Sequence, residues 1–224
     1  MANDKPGISL NQLALYLTSD ALKRRRIIEQ RKEPKSFMVN WYDPAMSKIS
    51  EFVMAGCANE DILVSEIDRL YAITPGSEYE QTRNNTNAEA LLSFMDVYND
   101  LVLEGFEIKR GDNMAPKMDI AGVDVSVRPE FWLVGKNRGE QAVGAIKLYF
   151  SKDTKLTKES GAYIPAVLAE YVGSNGNGAT VSRKHCQVLD VFQQTLFLAP
   201  PSVKQRFKTV QIACEEIKLW WGAL

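Results

Sequence analysis

The stretch VDVSVRPEFWLVGKNRGEQAVGAIKLYFSK, Val123 to Lys152, decides the fold. Phe131–Val134 and Ala142–Phe150 are rich in β-branched and aromatic residues, and the polar run Gly135-Lys136-Asn137-Arg138-Gly139 separates them. That pattern predicts two β-strands joined by a turn. An acid follows a proline, Pro129-Glu130, at the head of the first strand, and Lys147 is the one charge inside AVGAIKLYF on the second. A charge in so apolar a strand needs either a partner or a route to solvent.

Working outward, Phe106–Lys109 alternates as a short strand, and Ile120–Val127 reads as another. Thr86-Asn87-Ala88-Glu89 has the form of a capping box, opening a helix with Leu91, Met95, Tyr98 and Val102 on one face. Downstream, residues 158–172 read as a helix with an early Pro165. The turn GSNGNG leads to strands at Thr180–Val191 and Thr195–Leu198. Pro200-Pro201-Ser202 then introduces a last helix with the stripe Val203, Phe207, Val210, Cys214 and Ile217. Strands alternating with helices predict an α/β fold, a central mixed β-sheet flanked by helices.

Residues 1–75 read as a helical region. Ser9 and Gln12 suit a capping box, Asp43-Pro44 starts a helix that ends near Gly56, and Asn59 caps another with Ile62, Leu63, Ile67 and Leu70 buried. The polar segment TPGSEYEQTRNNTN reads as the loop between this region and an α/β core over 86–224, the whole forming a single domain, 1–224.

Composition narrows the chemistry. The formal charge of −1 gives no global pull toward polyanions, so phosphate affinity must come from local patches. Three scattered cysteines, Cys57, Cys186 and Cys214, form no C-x-x-C pair, which argues against zinc knuckles and disulfide frameworks and for a reducing, cytoplasmic setting. His185 is the only histidine, which excludes multi-histidine metal sites and disfavours Ser-His-Asp chemistry; a strand histidine with its needs satisfied is the plainer reading. No apolar run reaches membrane-span length, and MANDKPGISL lacks the pattern of a secretory signal. The glycine-rich run after residue 172 follows a helix and precedes a strand, the wrong order for a dinucleotide cradle.

A helix, three strands, a helix and a strand, with Pro129-Glu130 followed by Ala145-Ile146-Lys147, resembles the core of the PD-(D/E)XK nuclease superfamily over roughly residues 86–191. Members place an acid on the second strand, often after proline, and an acid-x-Lys triplet on the third. The resemblance implies a restriction-endonuclease-like core, DNA or RNA as partner, and Mg²⁺ (or Mn²⁺) as cofactor. It makes Glu130 a metal ligand and Lys147 the lysine that orients water or offsets charge on the phosphate. Ala145 departs from the pattern, since an acid is expected there.

Three residues are candidates to replace that acid. Asp124 lies an even number of residues before Glu130, so an unbroken strand would put both on one face. Glu89 sits on the helix where relatives carry an accessory acid, although a capping box is a sufficient and the preferred reason for it. Glu170 would reach in from the helix after the third strand, unless it faces solvent. The expected site is thus Glu130, Lys147 and Asp124 for catalysis, with Glu130, Asp124 and Glu89 for metal. The basic run Lys23-Arg24-Arg25-Arg26, with Arg31, Lys32 and Lys35, is a second candidate for nucleic-acid contact through Arg24, Arg25 and Arg26. Phe37, Trp41 and Tyr42 follow it as stacking or core aromatics. On a helical wheel these charges form no single stripe, which suits a solvated helix as well. A non-catalytic nucleic-acid- or protein-binding module on the same fold is the alternative function.

Overall fold

The computed structural model describes residues 5–33, 41–112 and 114–224. Pro34, Lys35 and Phe37 lie outside them. The chain is α/β, with mixed sheets flanked by helices. A five-stranded sheet has the order β2 (Phe106–Arg110), β5 (Phe131–Asn137), β6 (Glu140–Tyr149), β7 (Thr180–Asp190), β8 (Thr195–Leu198). β2, β5 and β6 run antiparallel in turn; β6 and β7 are parallel, joined through α6 (Lys158–Asn175); β8 returns antiparallel to β7. No described helix is long and apolar enough to cross a membrane.

Both faces of the sheet are covered, which is why β6 reads as a nearly continuous apolar run. Val143, Ala145, Tyr149, Cys186 and Val188 point into one core, under α6, α1 (Leu10–Leu17) and α7 (Val203–Ala223). Phe131, Leu133, Ile146, Leu148 and Leu189 point into the other, under α3 (Asp43–Met54), α4 (Asp61–Ala72) and α5 (Glu78–Met95). α2 (Ala21–Lys32) packs outside α1 and α7.

Two sequence expectations need correction. The predicted loop TPGSEYEQTRNNTN is mostly the first half of α5. Ser77 Oγ accepts from Glu80 N at 3.2 Å while Glu80 Oε2 accepts from Gly76 N at 2.8 Å, a capping arrangement that starts the helix at Glu78. Its first turns are polar because they lie largely outside the core, so they carry no apolar period. Glu89 is therefore an interior helical residue, and Thr86 Oγ1 bonds the Thr82 carbonyl at 2.7 Å instead of capping. Asn87, fully buried, joins the layers: its Oδ1 accepts from Ala45 N in the first turn of α3 at 3.0 Å, and its Nδ2 donates to the Trp41 carbonyl at 2.9 Å.

The predicted strand Ile120–Val127 is the second. It splits into β3 (Met118–Ile120) and β4 (Val123–Ser126) at a turn where Ala121 and Gly122 have φ of 51° and 85°. Both belong to a separate three-stranded sheet, in which β4 also pairs in parallel with β1 (Gly7–Ser9).

β6 and β7 change register at a bulge. Val143 pairs with Val181 but Ala145 pairs with Cys186, so Gly144 alone faces Ser182 to His185. A Cβ at Gly144 would come within 2.5 Å of the His185 backbone oxygen, hence the glycine. His185 is fully buried, its ring against Phe106 (3.7 Å between centroids) and its Nδ1 2.7 Å from Ser182 Oγ. Burial, then the nearby Lys184 charge, lowers its pKa from 6.5, against a hydrogen bond with the Glu104 backbone. A depressed pKa means stability present above 6.5 and lost as pH falls through the folded value. Unfolding measured from pH 8 to pH 5 should show His185→Gln flattening part of the acid-side loss, and the single imidazole resonance should titrate below that of an unfolded control.

Candidate functional site

Glu130 and Lys147 meet where β5 begins. Phe131 pairs with Ile146, so the preceding Glu130 stands opposite Lys147 on the same face. Lys147 Nζ donates to Glu130 Oε1 at 2.7 Å and to the Arg128 carbonyl at 2.7 Å. Glu130 Oε2 accepts from Leu148 N at 2.6 Å, standing in for a strand partner beyond the end of β5. The Lys147 and Glu130 side chains are only 11% and 15% exposed. The charge in the apolar strand thus has the partner that its burial requires. Arg128, with φ 42°, turns the chain left-handed, and Pro129 follows it into the site.

A cavity of about 450 Å³ opens over this pair. The start of α3 supplies Asp43, the end of β2 supplies Arg110 and Asp112, and the approach to β5 supplies Arg128. Asp112 Oδ1 accepts from Met114 N at 2.7 Å. Arg110 and Arg128 are exposed, and neither has a carboxylate of a described residue within ion-pair distance. These four residues were not legible as a site in the sequence. Asp43 read as a helix start, no pattern singled out Arg110, Asp112 or Arg128, and only the tertiary fold collects them.

The other candidates lie elsewhere. Asp124 is on β4, in the smaller sheet, paired with Lys5 and 3.9 Å from Lys117; the strand linking it to Glu130 is broken at Arg128. Glu89 pairs with Lys152, both about half exposed, a contact of little energetic weight. Glu170 borders a different cavity, between α6 and the start of α7. Arg24 is tied down, donating to the Tyr16 carbonyl at 3.0 Å and the Leu17 carbonyl at 3.3 Å, and lying 5.3 Å from the Tyr16 ring centre. Arg25 pairs with Glu29, and Arg26 is exposed. None of the three lines the cavity. Trp41 and Tyr42 are held by Tyr79 and Phe150.

Ala145 explains itself. It is fully buried, directly opposite Trp132 across the strands, in the core beneath α6. It is a packing position with no open space for a carboxylate and its ligand. Mg²⁺ and Mn²⁺ need converging oxygen ligands. Glu130 has both oxygens committed, and among the described residues no three of His, Cys, Asp and Glu sit close enough to hold a metal ion. The residues present do not fit a metal shell built by the protein.

Two outcomes follow. Ala145→Asp should cost about 3–5 kcal/mol, as an uncompensated buried charge does, read as a lower urea midpoint with no gain in Mn²⁺ affinity. The Glu130–Lys147 pair should show a coupling of about 1.5–3 kcal/mol, the scale of a hydrogen bond to a charged group, in a double-mutant cycle of Glu130→Gln and Lys147→Met. A coupling near zero would show that the pair adds nothing to stability. No protein-family model matches this sequence, and no curated protein matches it either.

Proposed function

We propose that this chain is a nucleic-acid-binding relative of the PD-(D/E)XK nucleases, with a restriction-endonuclease-like core that receives a backbone phosphate without cleaving it. The observation that carries this reading is the closed Glu130–Lys147–Arg128 network at the floor of a cavity rimmed by two arginines that have no carboxylate partner among the described residues. The strand order supports it: an antiparallel trio, β2-β5-β6, then a parallel partner reached through a helix, with α5 ahead of the trio. Arg110 and Arg128 offer planar, permanently charged donors suited to phosphate oxygens. Lys147 adds charge from below, offset by Glu130.

A second reading, a Mg²⁺- or Mn²⁺-dependent nuclease, draws on Asp43 and Asp112 lining the same cavity as Glu130. Mg²⁺ often keeps several waters and takes only one or two carboxylates beside substrate phosphate.

The test pairs binding with cleavage. Labelled DNA and RNA should bind with an affinity that falls steeply with salt. Arg110→Ala and Arg128→Ala should each weaken binding and flatten the log–log salt slope by about 0.7–0.9, with no cleavage in Mg²⁺ or Mn²⁺. Cleavage that Lys147→Ala abolishes would establish the nuclease instead. Absence of binding to any nucleic acid would overturn both readings.

A further inference from the structure

We infer that a groove beside the cavity seats an unpaired nucleobase against Trp132, so that single-stranded nucleic acid is the class this chain prefers. The inference rests on the phosphate-binding reading above. The groove, about 690 Å³, lies within the range of small-ligand sites and shares Arg110 with the cavity over Lys147. The two cavities therefore adjoin at Arg110. Trp132 is two residues beyond Glu130 on β5 and points to the same face, about 7 Å further along. That is the reach of one nucleotide step.

The lining suits a base joined to a phosphate. Lys109 and Arg110 stand on the β2 side, and Lys109 is the cross-strand partner of Trp132. Gln141, Asn175 and Asn177 supply amides on the other side, and no acid lines the groove among the described residues. Toward the cavity the groove has Arg110 and a Lys109 whose charge is shared with exposed Glu107 at 3.7 Å; away from it the lining is neutral and hydrogen-bonding. The C-terminal end of α6, at Asn175, brings the negative end of its dipole there, which disfavours a second phosphate and favours the amino edge of a base. Trp132 is half-buried, backed by Tyr171 at 6.1 Å between ring centres and by Ala145 across the strands, so its indole is held in place before a ligand arrives. A paired base cannot present its face to such a side wall; an unpaired one can.

Fluorescence anisotropy with 12-nucleotide DNA, 12-nucleotide RNA and the blunt DNA duplex tests this. The whole chain should bind either single strand at least about tenfold more tightly than the duplex. Trp132→Leu, which keeps apolar volume but loses the aromatic face, should lose about tenfold on single strands, the scale of one stacked base. It should leave duplex binding unchanged, which also shows that the variant is folded. Trp132→Phe should retain most of the affinity. Equal affinity for strand and duplex, or full single-strand affinity in Trp132→Leu, overturns the inference while Arg128→Ala sensitivity still supports the phosphate site. No binding by the unmodified chain to any of the three overturns the phosphate reading and this one together.

Discussion

Everything at the Lys147 end of the sheet depends on where β5 begins. Its partner β6 runs on past it, so Leu148 N–H faces no strand on that side, while the Arg128 carbonyl has turned away from the ladder. Both backbone groups need another partner, and the buried Leu148 N–H left bare would cost about 1–3 kcal/mol. Glu130 and Lys147 satisfy one each and then neutralise one another. This lets a cation sit within an apolar strand, lets the chain pass through a left-handed residue at Arg128, and gives the cavity its floor. The same self-sufficiency restrains the chemistry: a carboxylate with both oxygens in use gains little from a metal ion unless the lysine lets go.

The position expected to carry an acid shows the competing constraint. Residue 145 alternates onto the face covered by α6, where the core is closed by Trp132 and its neighbours. Packing there and metal binding there exclude each other, because a carboxylate needs room and water that a filled core lacks. What reads in the sequence as a missing ligand is, in space, a well-filled site.

Much of the fold was legible because it follows local periodicity. The strands around the polar turn, the helix with Pro165, the Thr195–Leu198 strand and the last helix all lie close to where their patterns put them. Lys147 announced its need for a partner by its surroundings, and Glu130 was the partner. The illegible parts are those that periodicity does not encode. The first half of α5 is a helix whose exposed turns lack an apolar stripe. Asp124 left the face of Glu130 because Arg128, in left-handed conformation, breaks the strand between them, and an arginine does not flag a turn as a glycine or asparagine would. Asp43, Arg110, Asp112 and Arg128 come from three segments far apart in the chain, and only the closure of the sheet against α3 makes them neighbours.

The bulge at Gly144 separates the two ends of the longest strand pair. From Ala145 to Tyr149 the register with β7 is strict, and from Ala142 to Val143 it is set independently, with Ser182 to His185 taking up the slack. Such slack is a buffer against changes of length. Residues gained or lost within it would shift the groove end of the sheet relative to its neighbours but leave the lysine end in step. A change of length there would thus alter the lining of the groove beside Trp132 and leave the charged pair at the other end in register.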